Sequence, residues 1–470
     1  MKKILPFLFV LNSLFLLSQV TYPKQNIELI SLLTPNFGAP ASDGRLYSGC
    51  WGWKQEAKDK EYAISGASNG TYFIDVSNPV NPVLCDYVEG RLACTWREMK
   101  TYQNYCYIVS DDAGSNRFQI VDMQYLPDSV HVVYDGTSYF EHAHTIWIDK
   151  DKMYIGSATY SVGFSQMNVY SLATPSVPVL LRELKQDIAA NIISHVHDMY
   201  VRNDTVYASC GYNGLYIFKY DDVANMFIQL GSYIGYTSAG YNHSSFLTQN
   251  GKYLMFCDEV PASLPIHIID VQNLSNIQPV QSFTPEPFTT SHNPYLIGND
   301  LAIISCYQDG LLIYDISQPS NPIKIGFFDT FPQGGANVGN YFGATYRGNW
   351  GAYPYLPSGI IVANDMQNGV FILDPTNAYN KRVNVKKSSA TNTDFIVYPN
   401  PASNKLSLHY TGSSEPAVQL KNMLGQIVFE KQYTSIVSDY IDVSLFANGT
   451  YVISVTENNH RIHKKIIINH

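Results

Sequence analysis

The sequence predicts an all-β protein, a seven-bladed β-propeller followed by a small antiparallel β-sandwich, and three observations carry that prediction. The first is a recurring phrase. GLLIYDISQPSNPIKIGFF at 310–328 alternates apolar and polar residues into an aspartate, breaks at Pro319 and Pro322, and resumes as a second strand. Copies of the same plan begin at Gly70, Asn116, Gln166, Gly214, Pro265 and Gly369. The second is the spacing. The position ending the first strand of the phrase falls at Asp75, Asp122, Ser171, Lys219, Asp270, Asp315 and Asp374, at intervals of 47, 49, 48, 51, 45 and 59 residues. Units of roughly fifty residues suit four-stranded blades set radially around a channel. The third is a change of texture after Asn380, where a polar stretch gives way to short alternating strands punctuated by Gly, Pro and Asn.

In chain order, Met1 to Thr21 places two lysines before ILPFLFVLNSLFLL and then small and polar residues, the order of a signal peptide, so residues 1–21 are expected to direct secretion. Residues 22–379 hold the seven units. The last unit stops after GVFILDPTNAY without an outer strand, and NIELISLLTP near the N-terminus supplies one. Residues 26–34 are therefore expected to pair with 369–374 and close the ring. Each unit also carries an upstream apolar strand ending in a turn, as in LAIISCYQDG at 301–310. Asp75, Asp122, Asp270, Asp315 and Asp374 are expected to be structural anchors, because an aspartate at a strand end can accept hydrogen bonds from the amides that follow and fix the turn. Residues 380–393 read as a linker, and 394–470 as the sandwich.

The composition, 45% apolar and 15% charged over 470 residues, allows a large core, and 36 tyrosines with 22 phenylalanines suit strands and binding surfaces. The net charge of −9 and the absence of basic runs argue against nucleic acid as a partner, and no later apolar run reaches the length of a transmembrane span. Seven cysteines leave at least one unpaired in an oxidising compartment, and Cys85 with Cys94, separated by a short connection, is the first pair to expect as a disulfide.

HExxH, Walker and CxxC patterns are absent from the sequence, so chemistry has to be sought in the repeat itself. Arg97, His144, His197, His243 and His292 each lie ten residues before Tyr107, Tyr154, Tyr207, Tyr253 and Ala302, near the start of the channel-lining strand. Five consecutive units thus place a basic or imidazole group at one level. Glu141, His142, His195 and Asp198 add polarity, and turns carrying Asp111, Asp112, Asp258 and Glu259 are expected to reach the same face. These residues form a candidate ligand site at a channel mouth, with a divalent metal as a possible cofactor on the neighbouring pair His197 and His243. A cluster facing Asp258, Glu259 or Glu141 would change charge at mildly acidic pH. The competing expectation is structural: each histidine bonds the backbone of the next blade. NWGAYPYLPSG at 349–359 reads as a rigid loop across the mouth or a contact surface.

Words within the repeats, among them EYAISGASNGTYFIDVSNPVNPV at 61–83 and WGAYPYLPSGIIVANDMQNGVFIL at 350–373, resemble LVIVD-repeat propellers, and the set over 45–376 is similar to the choice-of-anchor B family. That resemblance implies a propeller joined to a surface anchor and supplies no reaction. YPNP at 398–401, MLGQIV at 423–428, NGTYVISV at 448–455 and the terminal KKIIIN resemble the type A sorting domain of the type IX secretion system. This second resemblance implies that the secretion machinery is a partner through 394–470, with export through the outer membrane of a Bacteroidetes-type bacterium and a secreted or cell-surface location. The expected function is an exported propeller binding a protein or glycan; the alternative is a metal-assisted hydrolase or lyase at the histidine-lined mouth.

Overall fold

The computed structural model describes residues 20–35, 44–90, 93–111, 117–189, 191–343, 346–382, 395–410, 415–423, 425–434, 437–457 and 460–470. The signal-peptide segment up to residue 19, Asp112 and the linker beyond Arg382 lie outside them. The chain divides into two compact units, Met1–Arg382 and Val383–His470.

In the first unit the described residues form seven antiparallel sheets in sequence order, six of four strands and one of five. Their inner strands are Tyr47–Gln55, Arg97–Tyr102, Thr145–Asp149, Asp198–Arg202, Asn242–Leu247, Asn293–Ile297 and Asn349–Tyr353. Each inner strand neighbours the next, and the last returns to the first, so the sheets close a propeller-like ring. The core is correspondingly divided. Ile64, Phe73 and Ile108 pack between sheets one and two, and Tyr154, Val169 and Val206 between three and four. Ile313, Ala363 and Phe371 fill the joint between six and seven, and Tyr72, Ile74, Val362 and Ile372 join seven back to one. Alternation along each strand produces this arrangement, since one face of every sheet meets the sheet before it and the other the sheet after it.

The ring is closed by the N-terminal segment. Lys24–Gln25 pairs with the outer strand of sheet six at Phe327 and Phe328, the chain crosses at the fully buried Ile27, and Glu28–Leu33 becomes the outer strand of sheet seven. Its register runs from Glu28 opposite Asp374 to Leu33 opposite Val370. Gly310 and Gly369 open the equivalent third strands of sheets six and seven at positive φ. A Cβ there would stand 2.3 Å from the Phe328 carbonyl oxygen and 2.4 Å from that of Leu33, respectively. Glycine is thus required where the outer strand crosses, and Leu33 occupies in sheet seven the place Phe328 holds in sheet six.

The strand-end aspartates act on the turns. Asp75, Asp122, Asp270, Asp315 and Asp374 accept hydrogen bonds from the amides of Ser77, Gln124, Gln272, Ser317 and Thr376 at 2.8–2.9 Å. Ser171 substitutes with its hydroxyl at 3.2 Å from the Ala173 amide. In sheet four the strand runs two residues past Lys219, and Asp221 takes the role through the Val223 amide.

Two sequence expectations fail here. Cys85 and Cys94 form no disulfide: Cys85 lies on the outer strand Val83–Glu89 with its Sγ turned to the Val83 carbonyl, whereas Cys94 is buried beside the carbonyl of Trp96 at the inner edge. The stretch 349–359 does not cross the mouth. Asn349–Tyr353 is the inner strand of sheet seven, and Tyr355 continues along the channel to reach the Leu296 carbonyl at 3.1 Å.

The second unit is built of two antiparallel sheets, one of Phe395–Tyr398, Lys405–Tyr410 and Val437–Asp442, the other of Ile427–Gln432, Ala417–Asn422, Gly449–Glu457 and His460–Ile468. Leu406, Leu408 and Ile441 from one meet Val418, Leu420, Ile453 and Ile466 from the other in a core of its own. Among the described residues no helix is long and apolar enough to cross a membrane.

Candidate functional site

Six side chains form a collar in the channel. Successive ring centroids lie 6.3 Å apart for Trp96–His144, 4.2 Å for His144–His197, 4.3 Å for His197–His243, 4.1 Å for His243–His292, 4.6 Å for His292–Trp350 and 4.9 Å for Trp350–Trp96. Local backbone explains why they turn inward. His144, His197 and His292 immediately precede their inner strands, before the pleat begins. His243 and Trp350 sit at register shifts between Asn242 and Ser244 and between Asn349 and Gly351, where a bulge re-aims the extra residue.

Arg97 does not join them. Its strand is regular from Arg97 onward, so the side chain alternates with Glu98 and turns into the body of the ring, where Nε donates to the Ala67 carbonyl and Nη1 to the Ser110 hydroxyl, both at 3.0 Å. Trp96 takes the collar position. Asp258 also leaves the site: its carboxylate accepts from the Tyr236 hydroxyl, the Gly240 amide and the Asn242 side-chain amide, and so pins the loop before sheet five.

Three histidines form a relay of backbone contacts. His197 Nδ1–H donates to the His243 carbonyl at 3.2 Å, His243 Nδ1–H to the His292 carbonyl at 3.0 Å, and His292 Nδ1–H to the Trp350 carbonyl at 2.6 Å. A carbonyl can only accept, so each Nδ1 carries the proton and each Nε2 keeps a lone pair. Burial holds His197 and His243 well below the ordinary imidazole range and His292 down to about 3. Burial thus opposes charge on all three, the reverse of what a change of charge at mildly acidic pH needs.

His144 differs. Asp111 accepts from His144 Nδ1 at 2.6 Å and from His142 Nδ1 at 2.9 Å. Burial alone would raise the Asp111 carboxyl, but its two imidazole partners outweigh burial and hold it at about 2. Burial likewise opposes charge on His144, and Asp111 reverses that, so the His144 imidazole is raised. The shift on His144 thus runs opposite to those on His197, His243 and His292.

The collar separates two spaces. On its outer side an open cavity of about 260 Å³ is walled by Trp96, Tyr241, Tyr346 and Trp350, with Asp111, His195 and Glu259 among its polar groups. The Glu259 carboxylate accepts from the Tyr307 hydroxyl at 2.5 Å and lies 3.9 Å from His243 Nε2. Burial raises its carboxyl. Tyr241 donates to or accepts from His195 Nε2 at 2.7 Å, and the 74% exposed Tyr212 packs edge-on against Tyr241, extending the aromatic wall outward. On the inner side about 50 Å³ remains, around Trp51, Trp147, Phe246 and Tyr295 with the buried Lys100 and the half-buried Glu98 and Asp198.

Sequence reasoning brings His144, His197, His243, His292 and Glu259 to the mouth, where the structure places them, and misses Trp96 and Trp350. Trp96 stands beside Arg97 within TWREMKTY, and only the strand's starting point decides which of the two faces the channel.

A ring of repeated sheets around a polar mouth, joined to a separate sandwich, defines a modular propeller-type repeat protein. Family models supply the particulars: residues 62–89 and 299–330 match the LVIVD repeat, and 396–469 match the secretion system C-terminal sorting domain. The chain thus carries LVIVD repeats and a type IX sorting domain, which indicates export to the cell surface or medium. Each matched repeat covers the three strands that follow the inner strand of one sheet. A stretch of 75 residues is 39% identical to ulvan lyase NLR42 of Nonlabens ulvanivorans; it covers 16% of this chain and 14% of that one. Among solved structures, U3-55K matches with a TM-score of 0.49 at 10% identity, over 74% of this chain and 98% of that one. A candidate 6-phosphogluconolactonase from Bacteroides uniformis matches with a TM-score of 0.48 at 10% identity, over 85% and 100%. Neither structure bears on function at that level of similarity.

Proposed function

We propose that the chain is an exported binding protein that engages a glycan at the mouth of its channel. The observation carrying this reading is the pairing of aromatic walls with acceptors and donors at one open cavity: Trp96, Tyr241, Tyr346 and the outlying Tyr212 beside Asp111, Glu259 and His195. Sugar rings offer apolar C–H faces that pack on aromatic rings and hydroxyl groups that need polar partners, and such a wall satisfies both. The test is a glycan and protein array probed with the intact secreted chain and with Tyr212→Ala and Trp96→Ala. Glycan binding that weakens at least tenfold in either variant supports the reading, and binding confined to proteins overturns it. A second reading, metal-assisted hydrolysis or elimination, is favoured by the convergence of His197, His243 and Glu259. Release of shortened oligosaccharides from a bound glycan would distinguish it from simple binding.

A further inference from the structure

We propose that His197, His243 and Glu259 form a binding site for a divalent transition metal of the zinc class. One donor atom from each lies within 4.8 Å of the other two. Tetrahedral coordination with bonds near 2.1 Å sets donor atoms about 3.4 Å apart, so small side-chain rotations close the site. The second shell is already built. His197 and His243 each donate Nδ1–H to a main-chain carbonyl, the contact that fixes a ligating imidazole with Nε2 free. Tyr307 holds the Glu259 carboxylate through one oxygen, leaving the other, 3.9 Å from His243 Nε2, for the ion.

A second, independent observation points the same way. His292 is only 1% exposed, and its Nε2 is buried without a hydrogen-bond partner among the described residues. Its Nδ1–H is committed to the Trp350 carbonyl, and its ring stands 4.1 Å from that of His243 on the same cavity wall. An orphaned buried lone pair is costly, and this one stands beside a proposed ligand. Two imidazoles and a carboxylate favour zinc, or iron, cobalt, nickel and copper, over magnesium or calcium, which prefer all-oxygen shells. The inference stands whether or not the aromatic walls bind a glycan.

The test uses the full chain without an affinity tag, stripped with a chelator and titrated with Co²⁺ while visible absorption is followed. The expected result is one equivalent of Co²⁺ with the intense bands of a four- or five-coordinate ion, displaced by one equivalent of Zn²⁺. Glu259→Gln keeps an acceptor for Tyr307 and should weaken binding by at least about tenfold, whereas His131→Ala, at an exposed outer strand, should leave the titration unchanged. His243→Ala should abolish the bands, with thermal unfolding confirming that the variant folds. Absence of stoichiometric binding, or a spectrum unaltered in Glu259→Gln, overturns the proposal.

Discussion

At the scale of single residues, the difference between Arg97 and Trp96 shows what spacing can and cannot reveal. Counting ten residues back from the second strand finds the level of the collar in five sheets, but a pleated strand sends neighbours to opposite faces, so an error of one residue changes the assignment entirely. The bulges at His243 and Trp350 leave no mark in composition, which is why Trp350 goes unseen. Arg97→Met should therefore leave ligand or metal binding unchanged while costing about 2 kcal/mol, because the Ala67 carbonyl and Ser110 hydroxyl lose a buried donor. Urea unfolding together with the Co²⁺ titration checks both halves. Asp365 gives a second prediction. Burial, against donors from Thr330, Gln367 and Asn368, raises its carboxyl from 3.8 to about 7. A raised carboxyl binds more protons folded than unfolded, so its contribution is complete below about pH 4 and is lost as pH rises through about 7. Relative to Asp365→Asn, the parent chain should lose stability over that window by up to about 1.4 kcal/mol per pH unit. Parallel slopes in the two proteins would refute the assignment.

At the scale of elements, the repeat phrase is legible because it encodes turn chemistry as well as strands. Its aspartate must reach the amide two residues on, and its glycine must clear a crossing carbonyl, so both recur at fixed offsets. Where the strand lengthens, as at Lys219, the aspartate moves to 221 and the alignment of residues misreads the unit although its pairing is intact. The same logic identifies Glu28–Leu33 as an outer strand separated by most of the chain from the sheet it completes. Deleting residues 22–34 would strip Ile27 from the joint between sheets six and seven and Ile30 and Leu33 from that between seven and one. One fully buried aliphatic side chain, worth roughly 1.5–3 kcal/mol, and several half-buried ones are then lost, along with the strand pairing. The melting temperature should fall by on the order of 5–10 °C. An unchanged cooperative transition would mean that the ring does not depend on this segment.

At the scale of the whole molecule, the chain is a repeat ring and an export signal in one polypeptide, each with a separate hydrophobic core. The boundary is legible because residues between the units carry no apolar period, and the sandwich because its wording matches an address read by secretion machinery. The ligand is not legible, since repetition enforces what every sheet needs, whereas Trp96, Asp111, Glu259 and Trp350 stand at the mouth outside the repeated histidine series. The ring closes through its own N-terminal strand. Ending the chain at Arg382 should therefore preserve the thermal transition of the ring and its Co²⁺ titration. In the native host the same truncation should stop the protein in the periplasm, since the address is gone while the folded ring remains. Calorimetry of the purified truncation and fractionation of cells expressing it form one paired measurement. A ring that unfolds without the sandwich would show that its core is not self-sufficient, and a truncated chain found on the cell surface would show that residues 395–470 are not the address.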